Sequence, residues 1–283
     1  TLYKKLNHSQ YTICFLTSDK KKCSENIFYW DSQAGYIDQE ALKDVVHIIH
    51  LAGFNIASKW SAKNKLKMYD SRVNSSKLLY EKCVDLNIHP KTFISASAMG
   101  YYGFNKNGIK KEKDKTGDDW MAKLCEKWEK AADNFKLIKT RVVKTRLALV
   151  VDKNSGVLQK TILGFKFKTG IIFGDGKQCF PWIDIIDAVR FIKFTLKEKN
   201  IDGVFNLASP QKISYYTFIK SVQKIKYKYS ILISIPKLIF QLILPEKYVL
   251  LFNDIQLSTE KIEATGFKWE YPNIEKSIAK NLI

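Results

Sequence analysis

Val45-Val46-His47-Ile48-Ile49-His50-Leu51, running straight into Ala52-Gly53, is the stretch whose reading decides the fold. A near-continuous apolar run of this length suits a strand buried on both faces, the habit of parallel sheets covered by helices. Working outward, residues 11–16, 92–98, 141–151 and 204–207 are further strand-length apolar or alternating runs. Helical spacing lies between them. Residues 61–86 place Leu66, Tyr69, Val73, Tyr80, Cys83 and Leu86 near one face, and residues 118–135 repeat Trp120, Leu124, Trp128, Ala131 and Phe135, with Asp118 as the expected N-cap. Another helix starts near Asp184 and carries Ile185, Ile186, Val189, Ile192 and Leu196.

Strands alternating with long helices predict an α/β fold with a doubly wound, mostly parallel sheet. After residue 208 the pattern changes. Helices expected from Ser214, Pro236 and Ser258 follow one another without clear strands between them. The expected organisation is a sheet domain over residues 1–208 and a smaller, mainly helical part over 209–283. The apolar tract of residues 231–252 is interrupted by Pro236, Lys237, Gln241, Pro245, Glu246 and Lys247, which leaves it short of a clean bilayer span. It reads as two short core helices, with an interfacial anchor as the alternative.

The 283 residues carry 47 Lys+Arg against 28 Asp+Glu, a formal charge of +19, and are 46% apolar. That composition excludes a disordered or collagen-like chain. The charge raises nucleic acid or an anionic membrane as a partner. Yet 43 of the basic residues are lysine and only Arg72, Arg141, Arg146 and Arg190 carry the forked guanidinium that base and phosphate readers favour. No specific nucleic-acid partner is expected. Cys14, Cys23, Cys83, Cys125 and Cys179 are odd in number and far apart, which predicts reduced thiols in a cytoplasmic protein. His8, His47, His50 and His89 lack metal spacing, and His47 and His50, three apart in a strand, face opposite ways.

A dinucleotide-binding sheet usually carries G-x-G-x-x-G after its first strand, so that backbone N–H groups approach the pyrophosphate. None of the 13 glycines makes that pattern; Gly174-Asp-Gly176 lies late in the chain and reads as a turn. The chain opens in what reads as a helix tail, residues 1–8, as though a preceding strand and loop were absent. Two Tyr-x-x-x-Lys strings occur, Tyr102/Lys106 and Tyr216/Lys220. Chance alone predicts roughly two at this composition.

His50-Leu-Ala-Gly53, Trp60, Asp70-Ser-Arg72-Val73 and Ile94-Ser-Ala-Ser-Ala-Met-Gly-Tyr-Tyr-Gly103 together resemble the epimerase family of the short-chain dehydrogenase/reductase superfamily. The resemblance continues in order through Gly117-Asp-Asp-Trp120, Cys125-Glu-Lys-Trp128-Glu129, Arg141-Val-Val, Arg146, Gly174-Asp-Gly-Lys-Gln178 and Pro181-Trp-Ile-Asp-Ile-Ile-Asp187. The stretch from Ile235-Pro to Tyr271-Pro272 is similar to that family's own C-terminal domain. The resemblance implies a Rossmann fold binding NADP or NAD, a C-terminal substrate lobe, and a small hydroxylated substrate such as a nucleotide sugar. It implies cofactor-side roles for Leu51, Ala52, Gly53, Arg72 and Val150, with Arg72 reaching a cofactor phosphate. Where the family places Thr-Arg to hold the 2′-phosphate of NADP, this chain has Thr17-Ser18, then Asp19 and three lysines, so the bidentate grip is missing. Ser97 stands at the position of the superfamily serine that positions a substrate oxygen. The segment matching the Tyr-x-x-x-Lys dyad reads Trp120-Met-Ala-Lys-Leu124, which leaves Tyr101 and Tyr102 as the neighbouring candidates. Trp182 and Asp184 fall where extended members contact substrate, although Asp184 also reads as an N-cap. The expectation is an NAD(P)-dependent epimerase-like oxidoreductase, or a cofactor-binding homologue without the dyad's chemistry, with a basic nucleic-acid or membrane-surface binder as the third alternative.

Overall fold

The computed structural model describes residues 2–6, 11–104 and 107–283. The strands are β1 (Phe15–Thr17), β2 (Ile27–Asp31), β3 (Tyr36–Ile37), β4 (His47–His50), β5 (Thr92–Ala98), β6 (Asn107–Lys110), β7 (Arg141–Leu147), β8 (Leu149–Asp152), β9 (Thr169–Phe173), β10 (Trp182–Asp184), β11 (Gly203–Leu207), β12 (Ile231–Ile235) and β13 (Asp254–Leu257). The α-helices are α1 (Leu2–Leu6), α2 (Ala62–Tyr69), α3 (Ser75–Asp85), α4 (Trp120–Asp133), α5 (Gly156–Lys166), α6 (Ile185–Lys197), α7 (Tyr215–Lys226), α8 (Lys237–Ile243), α9 (Glu260–Glu263) and α10 (Ile274–Leu282). They fall into two compact units interleaved along the chain, the first holding residues 1–101, 120–145 and 192–204, the second 102–119, 146–191 and 205–283.

The first unit is built on β5 and β4 with most of β7, and β4 and β5 run parallel with His47 opposite Thr92 and His50 opposite Ser95. Every residue of β5 from Thr92 to Ser97 is buried, as a strand covered on both faces requires. A cluster of Ile48, Leu78, Leu79, Phe93, Phe135 and Val142 fills one side, with the Phe93 and Phe135 rings stacked 3.9 Å apart. A separate small sheet, β1-β2-β3, pairs β1 and β2 in parallel.

Residues 61–86 depart from a single regular helix. Ser61 caps α2 by accepting from Asn64 N, α2 passes into one π-turn at Asp70–Asn74, and α3 continues from it. Such a turn inserts a residue and re-aims the side chains around it. The helix expected from Asp118 begins at Trp120, and the neighbouring Asp119 accepts a bond from Phe104 N at 2.7 Å. The strand expected at 11–16 is Phe15–Thr17, and the run 141–151 is two strands, β7 and β8. The helix-tail reading of residues 1–8 is described over Leu2–Leu6; residues 1 and 7–10 lie outside the described residues.

The second unit packs α5, α7 and α10 with β8, β9 and β10 around Leu158, Phe165, Trp182, Phe218, Ile274 and Ile278. Ser214 caps α7 as expected, accepting from Thr217 N at 3.1 Å. Two strands interrupt the helices after residue 208. Ile231–Ile235, within the apolar tract read as two core helices, is β12 and pairs in parallel with β9. Its β-branched isoleucines suit a pleat, and no local signal separates such a run from a short buried helix. Asp254–Leu257 is β13, which pairs in parallel with β6, a long-range pairing with no local pattern. Gly174 and Gly176, both at positive φ, form the turn read from sequence. Among the described residues no helix is long and apolar enough to cross a membrane, and no group of His, Cys, Asp and Glu is placed to hold a metal ion.

Candidate functional site

In the first unit the carboxyl edge of the β4–β5 pair is the place to look, because ligands of open α/β sheets gather where parallel strands end. The register that puts His50 opposite Ser95 brings Leu51-Ala52-Gly53 out at the same edge as Ser97 and the turn to Tyr101. Leu51 and Gly53 are exposed. The π-turn aims two consecutive residues at this loop. Ser71 Oγ accepts from Phe54 N at 2.7 Å, and Arg72 Nη1 donates to the Phe54 carbonyl at 3.0 Å and to the Met68 carbonyl at 3.3 Å.

Arg72 also lies over the Trp128 ring of α4, 5.3 Å from its centroid. Burial lowers its guanidinium from the usual value, far too little to neutralise an arginine. Among the described residues no carboxylate pairs with it, and its Nε and Nη2 make no hydrogen bond. Gly53 lies against the face of the guanidinium: a Cβ placed there would stand 2.9 Å from Nη2 and 3.0 Å from Cζ. A half-buried cation with an unspent donor edge is suited to an anion, since two parallel N–H groups match two phosphate or carboxylate oxygens.

Beneath this group sits His50, 3% exposed. Ser75 Oγ donates to the Ser71 carbonyl at 2.7 Å, so His50 Nε2 donates to Ser75 Oγ at 2.9 Å, and its Nδ1 accepts from Trp128 Nε1 at 3.5 Å. Burial, helped by the positive charge of Arg72, pushes the ring down to about 4. His50 is therefore a neutral spacer that fixes Trp128, and Trp128 supports the guanidinium.

Ser97 donates to Glu129 Oε1 at 2.7 Å, and both are buried. Tyr101, half-buried, follows on the same edge. Thr17, Ser18 and Asp19 form an ordinary exit from β1. Thr17 Oγ1 accepts from Asp19 N, and Asp19 caps the turn of Lys20–Lys22 by accepting from Lys21 N at 3.1 Å.

Residues 1–208 match the NAD dependent epimerase/dehydratase family. The chain belongs to that family. An epimerase family protein of Staphylococcus haemolyticus is 30% identical over 282 residues, covering 97% of this chain and 92% of that protein. Another, from Mycobacterium leprae, is 32% identical over 191 residues, 67% of this chain but only 62% of the mycobacterial protein. Among solved structures, the human epimerase family protein crystallised with NADPH superposes with a TM-score of 0.85 at 22% identity, over 99% of this chain and 94% of the human one. That likeness establishes an α/β, Rossmann-like fold.

Two further expected site residues lie in the second unit. Tyr102, in the second unit, is buried; its hydroxyl donates to Asn206 Oδ1 at 2.6 Å and accepts from Arg146 Nη1 at 2.9 Å, and burial pushes it up to about 12. Its string partner Lys106 lies outside the described residues. Val150, also in the second unit, sits within β8 opposite Ile183 of β10. The other string is no dyad either, since Tyr216 is exposed and Lys220 Nζ bonds Gln223 Oε1. Trp182 is buried and donates to the Gln211 carbonyl at 3.2 Å. Asp184 does cap α6, accepting from Ile186 N at 2.7 Å, and it also holds α10 through Ser277 and Lys280. Sequence reading missed Glu129, Trp128 and His50 as parts of the site. All three were in quoted family motifs, but their partners are 25 to 78 residues away.

Proposed function

We propose that this chain binds NADP or NAD at the carboxyl edge of β4 and β5 and acts as an epimerase-like oxidoreductase on a small hydroxylated substrate, a nucleotide sugar being the class its family favours. The observation that carries the reading is the Arg72 guanidinium packed against Gly53 with its Nε and Nη2 unspent. Leu51-Ala52-Gly53 would pass under the cofactor with no side chain in the way at Gly53, and Arg72 would meet a phosphate. Thr17, Ser18 and Asp19 would flank the adenosine side, where Lys20–Lys22 offer point charges in place of an arginine fork. When bound, the nicotinamide supplies a hydride acceptor or donor. The chain's part is to hold a substrate hydroxyl, and Ser97, oriented by Glu129, together with Tyr101, is placed for it. Val150 remains a cofactor-side candidate, and residues 209–283 a candidate substrate lobe. The NADPH with which the human relative was crystallised favours the same cofactor class.

A second reading, a cofactor-binding homologue without dyad chemistry, is favoured by Trp120 and Leu124 standing where α4 would carry Tyr and Lys. Titration with NADPH, followed by its fluorescence, tests both. Saturable binding is expected, weakened about tenfold or more in Arg72→Lys, which keeps the charge but loses the fork. Equal binding by the two proteins would refute the Arg72 assignment. Turnover of a nucleotide sugar with cofactor reduction then separates enzyme from binder.

A further inference from the structure

One face of the second unit has a composition the cofactor reading leaves unused. From Gly203 to Pro245 the chain carries six lysines and no acidic residue, and from Lys153 to Gly174 four lysines and again none; neither stretch holds an arginine. The two stretches meet in the paired strands β9 and β12. Leu232 and Gly170, opposite each other, face the core. Period-2 geometry then turns Ile231 and Ile233 to the other side, where both are exposed.

Helix α8 follows β12 directly from Lys237, and its Phe240 packs against Phe173, the register partner of Ile235. With Phe240 turned inward, helical spacing sends Leu238 and Leu242 outward, 65% and 75% exposed. At the other end of the strands, Ile231 N bonds the Lys168 carbonyl at 2.9 Å, which brings two aromatic tips together: Phe167, 82% exposed, and Tyr229, 96% exposed. Lys166, Lys168, Lys228 and Lys237 are exposed among them. Six large apolar side chains in water, with four exposed lysines among them against Asp175 and Glu246 at the borders of the two stretches, form a surface with a definite complement.

We propose that this face docks the protein on an anionic lipid bilayer, with α8 and the Phe167–Tyr229 corner entering the headgroup layer and the lysines meeting lipid phosphates. Aromatic tips and leucines at that depth gain by leaving water, and each lysine near a negative surface adds attraction. The helix lies on the membrane and does not cross it. A second copy of the chain is disfavoured because two such faces would oppose like charges. Nucleic acid is disfavoured because aliphatic side chains gain nothing from phosphates and no arginine fork is present.

The test is co-sedimentation of the whole chain with vesicles of phosphatidylcholine containing phosphatidylglycerol, against phosphatidylcholine alone, at about 0.15 M salt. Binding to the anionic vesicles is expected, with at least a tenfold preference. Lys166→Glu with Lys168→Glu should weaken it about 25-fold or more, near fivefold for each lysine lost. Leu238→Ser with Leu242→Ser should weaken it about tenfold, an effect that persists as salt is raised. These side chains are exposed, so an unchanged thermal midpoint confirms that the variants are folded. Three results would overturn the proposal: no preference for anionic vesicles, binding indifferent to the leucine changes, or a wild-type dimer that the leucine changes split while vesicles remain unbound. Single-stranded nucleic acid bound more tightly than vesicles, through the lysines alone, would also overturn it. None of these results depends on the cofactor.

Discussion

Acid should destabilise the first unit through His50 before the carboxylates held low, Asp31 and Asp133, take up protons. The ring is pushed from its usual 6.5 to about 4 because it is buried among Phe93, Trp128 and Trp30 with Arg72 close by. A folded value below the unfolded one means that the unfolded chain binds the proton more readily. The stability this group contributes is complete above pH 6.5 and is lost as pH falls towards the folded value near 4. The full gap is worth about 3 kcal/mol, and linkage puts the loss at about 2 kcal/mol by pH 5. Carboxylates held low, such as Asp31 and Asp133, remain ionised in that window and contribute their losses only at lower pH. Half-buried His47 is shifted the same way by burial and by Arg141 and Lys91, so a His50→Gln variant is needed to isolate the buried ring. The glutamine can donate to Ser75 but cannot take a proton. Urea unfolding between about pH 7.5 and pH 5, followed by tryptophan fluorescence, should show the wild type losing about 2 kcal/mol more than the variant. Parallel loss in the two proteins, or a His50 titration by NMR near 6.5, would refute the burial argument and with it the neutral tautomer that supports Trp128.

Two further outcomes concern the second unit. Lys280→Met should cost about 3 kcal/mol in urea unfolding, because it strands the fully buried Asp184 carboxylate, and adding Asp184→Leu should recover part of that loss. A double variant less stable than the single would contradict this. Tyr102→Phe should cost ~1–3 kcal/mol, since Arg146 and Asn206 lose a shared buried partner, while leaving NADPH affinity unchanged; a lost affinity would return Tyr102 to the cofactor site.

Much of the sheet was legible because its strands are short and buried on both faces, so that strands such as Thr92–Ala98 and helices such as Ile185–Lys197 announce themselves by local pattern. Family motifs led to Gly53, Arg72 and Ser97. The strands after residue 208 were hidden: β12 shares its apolar composition with the helix beside it, and β13 has no pattern at all without β6. The π-turn at Asp70–Asn74 was equally invisible, although it is what brings both Ser71 and Arg72 to the loop after β4.

By itself, then, the order of residues determined the α/β class, the parallel character of the strands around Val45–Leu51, and the family to which the chain belongs, because each rests on short-range periodicity or on motifs. Only tertiary structure decided which site residues are free to act. Tyr102 and Asp184 each hold buried hydrogen-bond partners, whereas Nε and Nη2 of Arg72 hold none among the described residues. The physical reason is that a polar side chain's availability depends on what lies within about 3 Å of it, and those neighbours come from segments that no local pattern relates.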